Sequence, residues 1–222
     1  MEIATWEKEK HFHKKGYNII VGVDEVGRGP LAGPVVVSAC VIRDIADFNA
    51  NPEDEQWKLV RDSKLLSEKQ RKTAFAFVKE KFYVGVGQSN PSTIDRINIL
   101  QATFLAMKKA IADVEHVMDK ERAYQDAEKM MIMIDGNQVI PHFTREQVCV
   151  AKGDQVAKSI AAASVIAKVL RDNLMEKYDK KYPEYGFAKH KGYGTAQHIQ
   201  ALNQYGATPI HRTSFAPVRN VL

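Results

Sequence analysis

Four carboxylates lie where short apolar, strand-like runs end, and carboxylates in such positions can hold a divalent metal ion. Ionised carboxylates that are brought together repel one another unless a cation or a proton joins them. Oxygen ligands with no Cys or His beside them suit Mg²⁺ or Mn²⁺ and disfavour zinc. The sequence therefore predicts a metal site built by Asp24, Glu25, Asp135 and Asp154.

Each of these residues also has a simpler interpretation. An Asp before Gly, as in Asp135-Gly136, commonly forms a turn, and others cap helices. That alternative is reasonable for any one of the four residues taken alone. It weakens when four carboxylates fall at three strand ends.

The tripeptide Gly27-Arg28-Gly29 directly follows the acidic pair. Glycines beside a cationic residue let backbone N–H groups approach a phosphate or a sugar closely. A tight hairpin turn explains the same three residues equally well. Only their position after Asp24-Glu25 favours a substrate-binding role.

Several polar residues further along the chain are candidates for contact with nucleic acid. Ser164, Lys168 and Arg171 share one stripe of a predicted helix, where they either pair within the protein or grip a phosphate backbone. Lys64 has a similar choice, with a solvated surface lysine as the alternative. Tyr193 lies between glycines and could stack on a sugar or base, although a packed loop tyrosine fits the same pattern.

Hydrophobic periodicity and turn residues predict the elements that must position these residues. Two β-branched runs flank the Gly/Pro-rich loop 27–34 and are expected to pair as a hairpin. Three-and-four spacing or Ala-rich apolar stretches indicate the helices. The predicted strands are 19–23, 35–42, 82–87, 130–134 and 148–151, and the predicted helices are 92–114, capped by Ser92 or Thr93, 159–182 and 195–205.

The composition is typical of a folded protein with an anionic partner. The 222 residues carry a formal net charge of +5, with 45% hydrophobic and 27% charged residues, which favours nucleic acid as a partner and argues against a disordered chain. No apolar run reaches the roughly 20 residues that span a bilayer, and the charged N-terminus lacks the core of a signal peptide, so no membrane contact and a cytoplasmic location are expected. Residues 1–16 are expected to form a solvated tail in which His11 and His13 bind no metal.

Seven blocks of the sequence occur in an order that is typical of one enzyme family. The first block reads Gly-Val-Asp-Glu-Val-Gly-Arg-Gly-Pro-Leu-Ala-Gly-Pro-Val and contains both the acidic pair and the glycine loop. The blocks are 22–35, 62–67, 134–137, 152–154, 159–172, 190–193 and 211–215. Together they closely resemble bacterial ribonuclease HII, a type 2 ribonuclease H, from about residue 17 to residue 219.

The resemblance implies an α/β, ribonuclease H-like fold, in which helices flank a mixed sheet and a helical extension follows at the C-terminus. The implied organisation is an N-terminal tail (1–16), a catalytic domain (17–182) and an extension that clasps the substrate (183–222). Two Mn²⁺ or Mg²⁺ ions are implied during catalysis, one to activate the attacking water and the other to stabilise the leaving 3′ oxygen. By resemblance, the residues that hold them are Asp24, Glu25, Asp135 and Asp154.

The resemblance also implies a substrate. The family hydrolyses the RNA strand of RNA–DNA hybrids and incises on the 5′ side of ribonucleotides embedded in duplex DNA, leaving 3′-hydroxyl and 5′-phosphate ends. A role in removing ribonucleotides from DNA is therefore expected. The protein is also expected to be a monomer. The implied substrate-binding residues are Gly27, Arg28, Gly29, Lys64, Ser164, Lys168 and Tyr193.

One position departs from the family pattern, and two other functions stay open. Leu65 stands where the family usually has a second lysine, which calls a phosphate contact there into question but not the chemistry. A type 3 or type 1 ribonuclease H would cut hybrids but act poorly on a lone ribonucleotide. A duplex-binding protein that has lost catalysis is the other alternative, against which the four intact carboxylates argue.

Overall fold

The computed structural model describes residues 3–121, 123 and 129–222. No helix in this part of the chain is both long and apolar enough to span a bilayer. The strands are β1 (Ile19–Val26), β2 (Val35–Ile42), β3 (Phe82–Ser89), β4 (Met130–Asp135) and β5 (Glu146–Val150). The α-helices are α1 (Glu7–Lys14), α2 (Glu68–Lys81), α3 (Pro91–Lys120), α4 (Gly153–Val156), α5 (Lys158–Lys181), α6 (Phe187–His190), α7 (Ala196–Tyr205) and α8 (Ala216–Arg219).

The strands form one mixed sheet in the order β3-β2-β1-β4-β5. β1 pairs antiparallel with β2, and β2 pairs antiparallel with β3, so the predicted hairpin around 27–34 is confirmed. β4 lies parallel to β1, and β5 lies parallel to β4. The expected α/β architecture, a mixed sheet flanked by helices, is confirmed.

Helices cover both faces of this sheet. α5 packs across β1 and β2 on one face, and α3 packs across β3 and β2 on the other. Ile160 and Met133 belong to the core beneath α5, whereas Val23 and Ile111 belong to the core beneath α3. A fully buried side chain of this size contributes about 1.5–3 kcal/mol, so the two cores hold the sheet rigidly between the helices.

Gly22 of β1 permits the close approach of α5. A Cβ atom at this position would lie 2.2 Å from the carbonyl carbon of Ser159, which is nearer than any real side chain tolerates. The absence of a side chain therefore lets the first turn of α5 rest directly on β1. This contact fixes the end of β1 that carries the acidic pair relative to α5.

The start of α3 differs from the prediction. Asn90 is the N-cap, its side chain accepting a hydrogen bond from the Thr93 N–H at 2.9 Å, and Pro91 occupies the first turn. The predicted cap at Ser92 or Thr93 is wrong because Asn90 satisfies the free N–H groups first, and proline suits the first helical position. The helix also bends at Asn98, whose φ of +65° interrupts the helical backbone.

The N-terminal segment is not the solvated tail that was expected. Trp6 is buried, and its ring centroid lies 5.2 Å from those of both Phe48 and Trp57. Glu9 is also buried and accepts hydrogen bonds from the Ser159 N–H and hydroxyl at 2.8 and 2.7 Å. The expectation of a solvated tail is wrong because only a few residues of this polar segment face inward. They are too few to give an apolar pattern in the sequence. Residues 1 and 2 of the expected tail lie outside the described residues.

The C-terminal segment forms its own small hydrophobic core. Tyr185, Phe187, Leu202 and Val218 are buried together with Met175 at the end of α5. This helical extension begins after α5, and the exact boundaries proposed between tail, catalytic domain and extension stay a prediction.

Truncating Trp6 should destabilise the whole protein, because its ring packs against those of Phe48, Trp57 and Phe82. We expect Trp6→Ala to lower the free energy of unfolding by about 3–5 kcal/mol, measured by urea denaturation. Lys8→Ala, at an exposed position of the same helix, should leave stability within about 0.5 kcal/mol. Equal stability of the two variants would show that the N-terminal helix does not pack as described.

Candidate active site

Asp24 and Asp135 lie side by side because β1 and β4 are parallel neighbours. Their register pairs Val23 with Ile134, so the next residue of each strand falls at the same end of the sheet. Side chains alternate along a strand, and Val23 and Ile134 belong to the core beneath α3. Both aspartates therefore point to the opposite face, toward α5.

Asp154 joins them from the turn after β5. The left-handed backbone of Lys152, with φ of +53°, reverses the chain into the short helix α4. The Gly153 N–H then donates to Asp135 Oδ1 at 2.7 Å, which ties the start of α4 to the end of β4. One carboxylate oxygen from each of Asp24, Asp135 and Asp154 lies within 4.8 Å of the other two. We call these three residues the carboxylate cluster.

Glu25 lies on the other side of the strand from the cluster. Adjacent residues of a strand point to opposite faces, so Glu25 faces α3 and not α5. It lines a cavity of about 210 Å³ together with Asp135 and Phe104. The Arg28 guanidinium lies 3.3 Å from Glu25 Oε1. Asp135 borders both the cluster and this cavity, so the fourth predicted ligand is near the other three but not among them.

Burial and mutual repulsion both disfavour the ionised form of these groups. Burial, reinforced by Glu25 and Asp135, raises the pKa of Asp24 well above its usual range. Burial and the neighbouring carboxylates raise the pKa of Asp154 to about 6. Burial also raises the pKa of Glu25, although Arg28 opposes that shift. A site of this kind binds either protons or a cation.

The residues of the cluster fit a hard divalent cation. All donors are carboxylate oxygens, and two of the three residues are buried, which suits Mg²⁺ or Mn²⁺ completed by water and substrate oxygens. The Lys64 ammonium lies 3.7 Å from Asp154 Oδ2, but its side chain is 74% exposed. Burial lowers the pKa of Lys64, while the surrounding carboxylates, Asp154 first, raise it overall. One exposed ammonium cannot neutralise three clustered carboxylates.

Gly27 and Gly29, in the loop after β1, lack a side chain for different structural reasons. Gly27 has φ of +103°, and a Cβ there would lie 2.2 Å from the Arg171 Nε. Gly29 has ordinary surroundings, because the nearest atom to its Cβ position is Cε1 of Tyr193 at 3.7 Å. Gly27 is therefore required by the backbone, whereas Gly29 leaves open space between the loop and the Tyr193 ring.

Two fully buried arginines form hydrogen bonds to this loop from the protein interior. Arg171 of α5 donates to the carbonyls of Pro34 and Ala32 and to that of Lys191 at 2.9–3.1 Å. Arg212 donates to loop carbonyls at 2.5–3.0 Å. Neither forms an ion pair with a carboxylate in the described part of the chain, so backbone carbonyls accept all of their hydrogen bonds there. The loop is thus fixed by α5 and by the C-terminal extension.

The Tyr193 ring is 47% exposed above the loop. Its backbone is held by the C-terminal extension, because the Tyr193 carbonyl contacts His198 Nδ1 at 3.0 Å. His198 in turn contacts His211 through their Nε2 atoms, also at 3.0 Å. Burial lowers the pKa of both histidines, that of His211 to about 4, which favours the neutral form of the pair.

The predicted polar stripe of α5 has mixed outcomes. Ser164 is buried, its hydroxyl lies 2.9 Å from that of Ser63, and hydrogen bonding from Ser164 lowers the pKa of Asp24. The structure does not support the predicted contact of Ser164 with a phosphate, because the side chain has no exposed surface. Lys168 pairs with Asp172 at 2.9 Å and keeps part of its side chain exposed. Pairing with an acidic residue of the same protein, the alternative to a phosphate contact, therefore describes Lys168 with Asp172 and Ser164 with Asp24. Arg171 instead donates to backbone carbonyls.

Sequence reasoning missed residues that act on the site from beneath. Arg212 lies in a recognised block but received no role. Asp95 also received none, although it accepts hydrogen bonds from the N–H and hydroxyl groups of Thr213 and Ser214. A polar group that supports a site from the interior has no distinctive spacing along the chain, so no periodicity could have identified it.

Comparison with known proteins identifies the family. The family model described as Ribonuclease HII matches residues 21–218. Ribonuclease HII of Acetivibrio thermocellus is 44% identical over 216 residues, which cover 97% of this chain and 75% of that protein. Ribonuclease HII of Enterococcus faecalis is also 44% identical over 216 residues, covering 96% of this chain and 76% of that protein. The chain belongs to the ribonuclease HII family.

Solved structures agree with this assignment. Ribonuclease H2 from Pyrococcus horikoshii is 27% identical, with a TM-score of 0.64 over 91% of this chain and 96% of that one. Bst-RNase HIII, solved in complex with Mn²⁺, is 20% identical, with a TM-score of 0.66 over 94% of this chain and 70% of that one. The second likeness shows the ribonuclease H-like fold alone. Membership of the ribonuclease HII family makes the chain a nuclease of the ribonuclease H class.

The raised pKa of Asp154 gives this ribonuclease HII family member a specific pH dependence. In the folded, metal-free state the pKa is about 6 against an ordinary value of 3.8, so protonation stabilises the fold at low pH and that stabilisation is lost between about pH 4 and pH 6. Between these pH values the free energy of unfolding should change by about 1–2 kcal/mol less in Asp154→Asn than in the unchanged protein. Thermal unfolding without metal measures this difference.

The same variant should also change the response to metal. Mn²⁺ at neutral pH should raise the Tm of the unchanged protein and raise that of Asp154→Asn much less, because one ligand is lost. Asp54→Asn, at an exposed carboxylate, is the matched control and should behave as the unchanged protein. Equal Mn²⁺-induced shifts in all three proteins would remove Asp154 from the metal site.

The two loop glycines should respond differently to alanine. Gly27→Ala should lower the free energy of unfolding by about 3 kcal/mol, because a positive φ and a collision with Arg171 act together. Gly29→Ala should stay within about 0.5 kcal/mol of the unchanged protein, since its Cβ has room. Urea denaturation of both variants tests this difference, and a destabilised Gly29→Ala would contradict the open space described beside Tyr193.

Proposed function

We propose that this chain hydrolyses the RNA strand of RNA–DNA hybrids and incises duplex DNA on the 5′ side of an embedded ribonucleotide. The products would carry 3′-hydroxyl and 5′-phosphate ends, and the role would be the removal of ribonucleotides from DNA. One observation carries the proposal: Asp24 of the carboxylate cluster lies only a few residues before the loop Gly27-Arg28-Gly29 in the sequence. A group that can contact a ribose is therefore held next to the cleavage site.

The carboxylates would hold the metal. Asp24, Asp135 and Asp154, with Glu25 on the adjoining side of Asp135, fit two Mg²⁺ or Mn²⁺ ions, which when bound supply activation of water and stabilisation of the leaving oxygen. The Arg28 guanidinium lies 3.3 Å from Glu25 Oε1. No nucleophile from the protein is needed. The proposal treats this chain as active in the monomeric form, since one chain contributes every group of the site.

The glycine loop and Tyr193 would choose the substrate. The 2′-hydroxyl distinguishes RNA from DNA. The positive φ of Gly27 shapes the loop, and the open space at Gly29 lets the loop backbone approach that hydroxyl. Tyr193 presents a half-exposed ring 3.7 Å from the Cβ position of Gly29, which suits packing against the adjoining sugar.

Two lysines would bind the phosphate backbone. Lys64 lies next to Asp154 and is largely exposed, so its ammonium can contact a phosphate near the metal. Lys168 is paired with Asp172 but retains exposed surface. Leu65 is 46% exposed beside Lys64 and offers no charge there. Ser164 is better placed to support Asp24 from within than to contact the substrate.

A duplex that carries one ribonucleotide tests substrate, metal and reaction together. With Mn²⁺ the unchanged protein should nick this duplex once, on the 5′ side of the ribonucleotide, and leave the matched all-DNA duplex intact. Asp135→Asn should lower the nicking rate by about 10³-fold or more while binding the duplex with similar affinity. Product lengths on a denaturing gel and a binding titration measure the two quantities.

The outcomes separate this proposal from its alternatives. Asp54→Asn is the control for loss of one carboxylate and should nick at the normal rate. Cleavage of a long hybrid without cleavage of the lone ribonucleotide would indicate a type 1 or type 3 specificity. Binding without any metal-stimulated nicking would indicate a duplex-binding protein. Normal turnover by Asp135→Asn would remove that residue from the metal site.

A further inference from the structure

The buried guanidinium of Arg212 has partners that are unusual for a charged side chain. It is fully buried and donates to the carbonyls of Gly27 at 2.5 Å, Arg28 at 2.9 Å and Gly33 at 2.8 and 3.0 Å. Carbonyl dipoles compensate a buried charge less fully than a carboxylate does. A geometric role for Arg212 therefore explains its position better than a contribution to stability alone.

Two of these contacts determine how the glycine loop presents its backbone. In a planar trans peptide the C=O and the following N–H point in opposite directions. Because the carbonyls of Gly27 and Arg28 point inward to Arg212, the N–H groups of Arg28 and Gly29 must point away from it. Among the described residues neither N–H has a hydrogen-bond acceptor. The loop thus presents two adjacent, unpaired donors beside Glu25 and Tyr193.

The loop backbone could not hold this orientation by itself. Glycine on either side of Arg28 gives both peptide units access to many backbone conformations. A turned peptide would direct a carbonyl outward in place of an N–H, and the loop would then repel an oxygen acceptor. The hydrogen bonds from Arg212 to the Gly27 and Arg28 carbonyls oppose such a turn, because a turned peptide would remove an acceptor from the buried guanidinium.

Arg212 is itself fixed by contacts on both sides. Its own N–H donates to the Leu31 carbonyl at 2.9 Å. The next two residues, Thr213 and Ser214, place four donors on Asp95 of α3 at 2.6–2.9 Å. A rigid helix therefore anchors the segment that carries the guanidinium. The arrangement extends from α3 through the C-terminal extension to the loop after β1.

We infer that Arg212 is a positioning residue for ribonucleotide selection, because it turns the Arg28 and Gly29 N–H groups outward toward the ribose oxygen. This inference rests on the proposed function of the glycine loop. It adds a residue that touches neither metal nor substrate and that acts only through the orientation of two peptide units. Asp95 acts indirectly, because it holds Thr213 and Ser214, the two residues that follow Arg212.

A comparison of two duplexes tests this role without relying on turnover. The binding experiment uses the full chain carrying Asp135→Asn, so that the substrate survives, and two duplexes that differ only in one ribose or deoxyribose. The parent should bind the ribose duplex more tightly. Adding Arg212→Met should bring the ratio of the two dissociation constants close to one, while the affinity for the all-DNA duplex changes by about twofold or less.

Matched variants separate positioning from charge and from folding. Arg219→Met removes an exposed arginine of the same extension and should weaken both duplexes equally, leaving the ratio unchanged. Arg212→Lys keeps the charge but reaches fewer carbonyls, so its ratio should fall between those of the parent and Arg212→Met. In the chain without Asp135→Asn, the Mn²⁺-induced rise in Tm should survive Arg212→Met, because the carboxylate cluster does not use the loop.

Each result decides the question. A parent-like ratio in folded Arg212→Met would overturn the inference. If Arg212→Met does not fold, Arg212→Lys and Asp95→Asn replace it, and full preference in both would overturn the inference equally. A parent that shows no preference for ribose would instead count against the proposed function of the loop, and the inference would fall with it.

Discussion

The parallel pairing of β1 with β4 is the contact on which the rest of the structure depends. It places Asp24 and Asp135 at the same end of adjacent strands and directs both toward α5. Side chains brought together in this way repel one another and resist ionisation, as the raised pKa values of Asp24 and Asp154 reflect. A fold that keeps such a strained arrangement needs rigid layers on both sides, and α3 and α5 supply them.

Buried ionisable side chains join parts of the chain that are distant in sequence. Glu9 caps the first turn of α5, and the fully buried Lys158 donates to the carbonyls of Trp57 and Val60. Arg171 and Arg212 do the same for the loop after β1. Each of these groups loses hydration on folding, and protein hydrogen bonds replace it only when the opposing backbone lies in one position. Such contacts select one arrangement of the segments more than they stabilise it.

The metal site and the sugar-reading loop are therefore held by different parts of the molecule. The sheet and α4 position the carboxylate cluster, whereas α5 and the C-terminal extension position the loop and Tyr193. The two meet within Asp24 to Gly29, the short stretch shared by both. Substitutions in the C-terminal extension can consequently alter substrate choice without altering metal binding.

The sequence by itself determined the strands, the hairpin, the long buried helix and the three acidic strand ends, because periodicity and turn residues are local properties. It also carried the family resemblance, which the comparisons confirmed. Only the tertiary structure decided that Glu25 faces α3 while Asp24 faces α5, that Ser164 is buried and that Trp6 and Glu9 are buried in the core. It alone revealed Arg212 beneath the glycine loop. These features depend on which face each side chain takes and on contacts between segments far apart in the chain, and neither is encoded in local spacing.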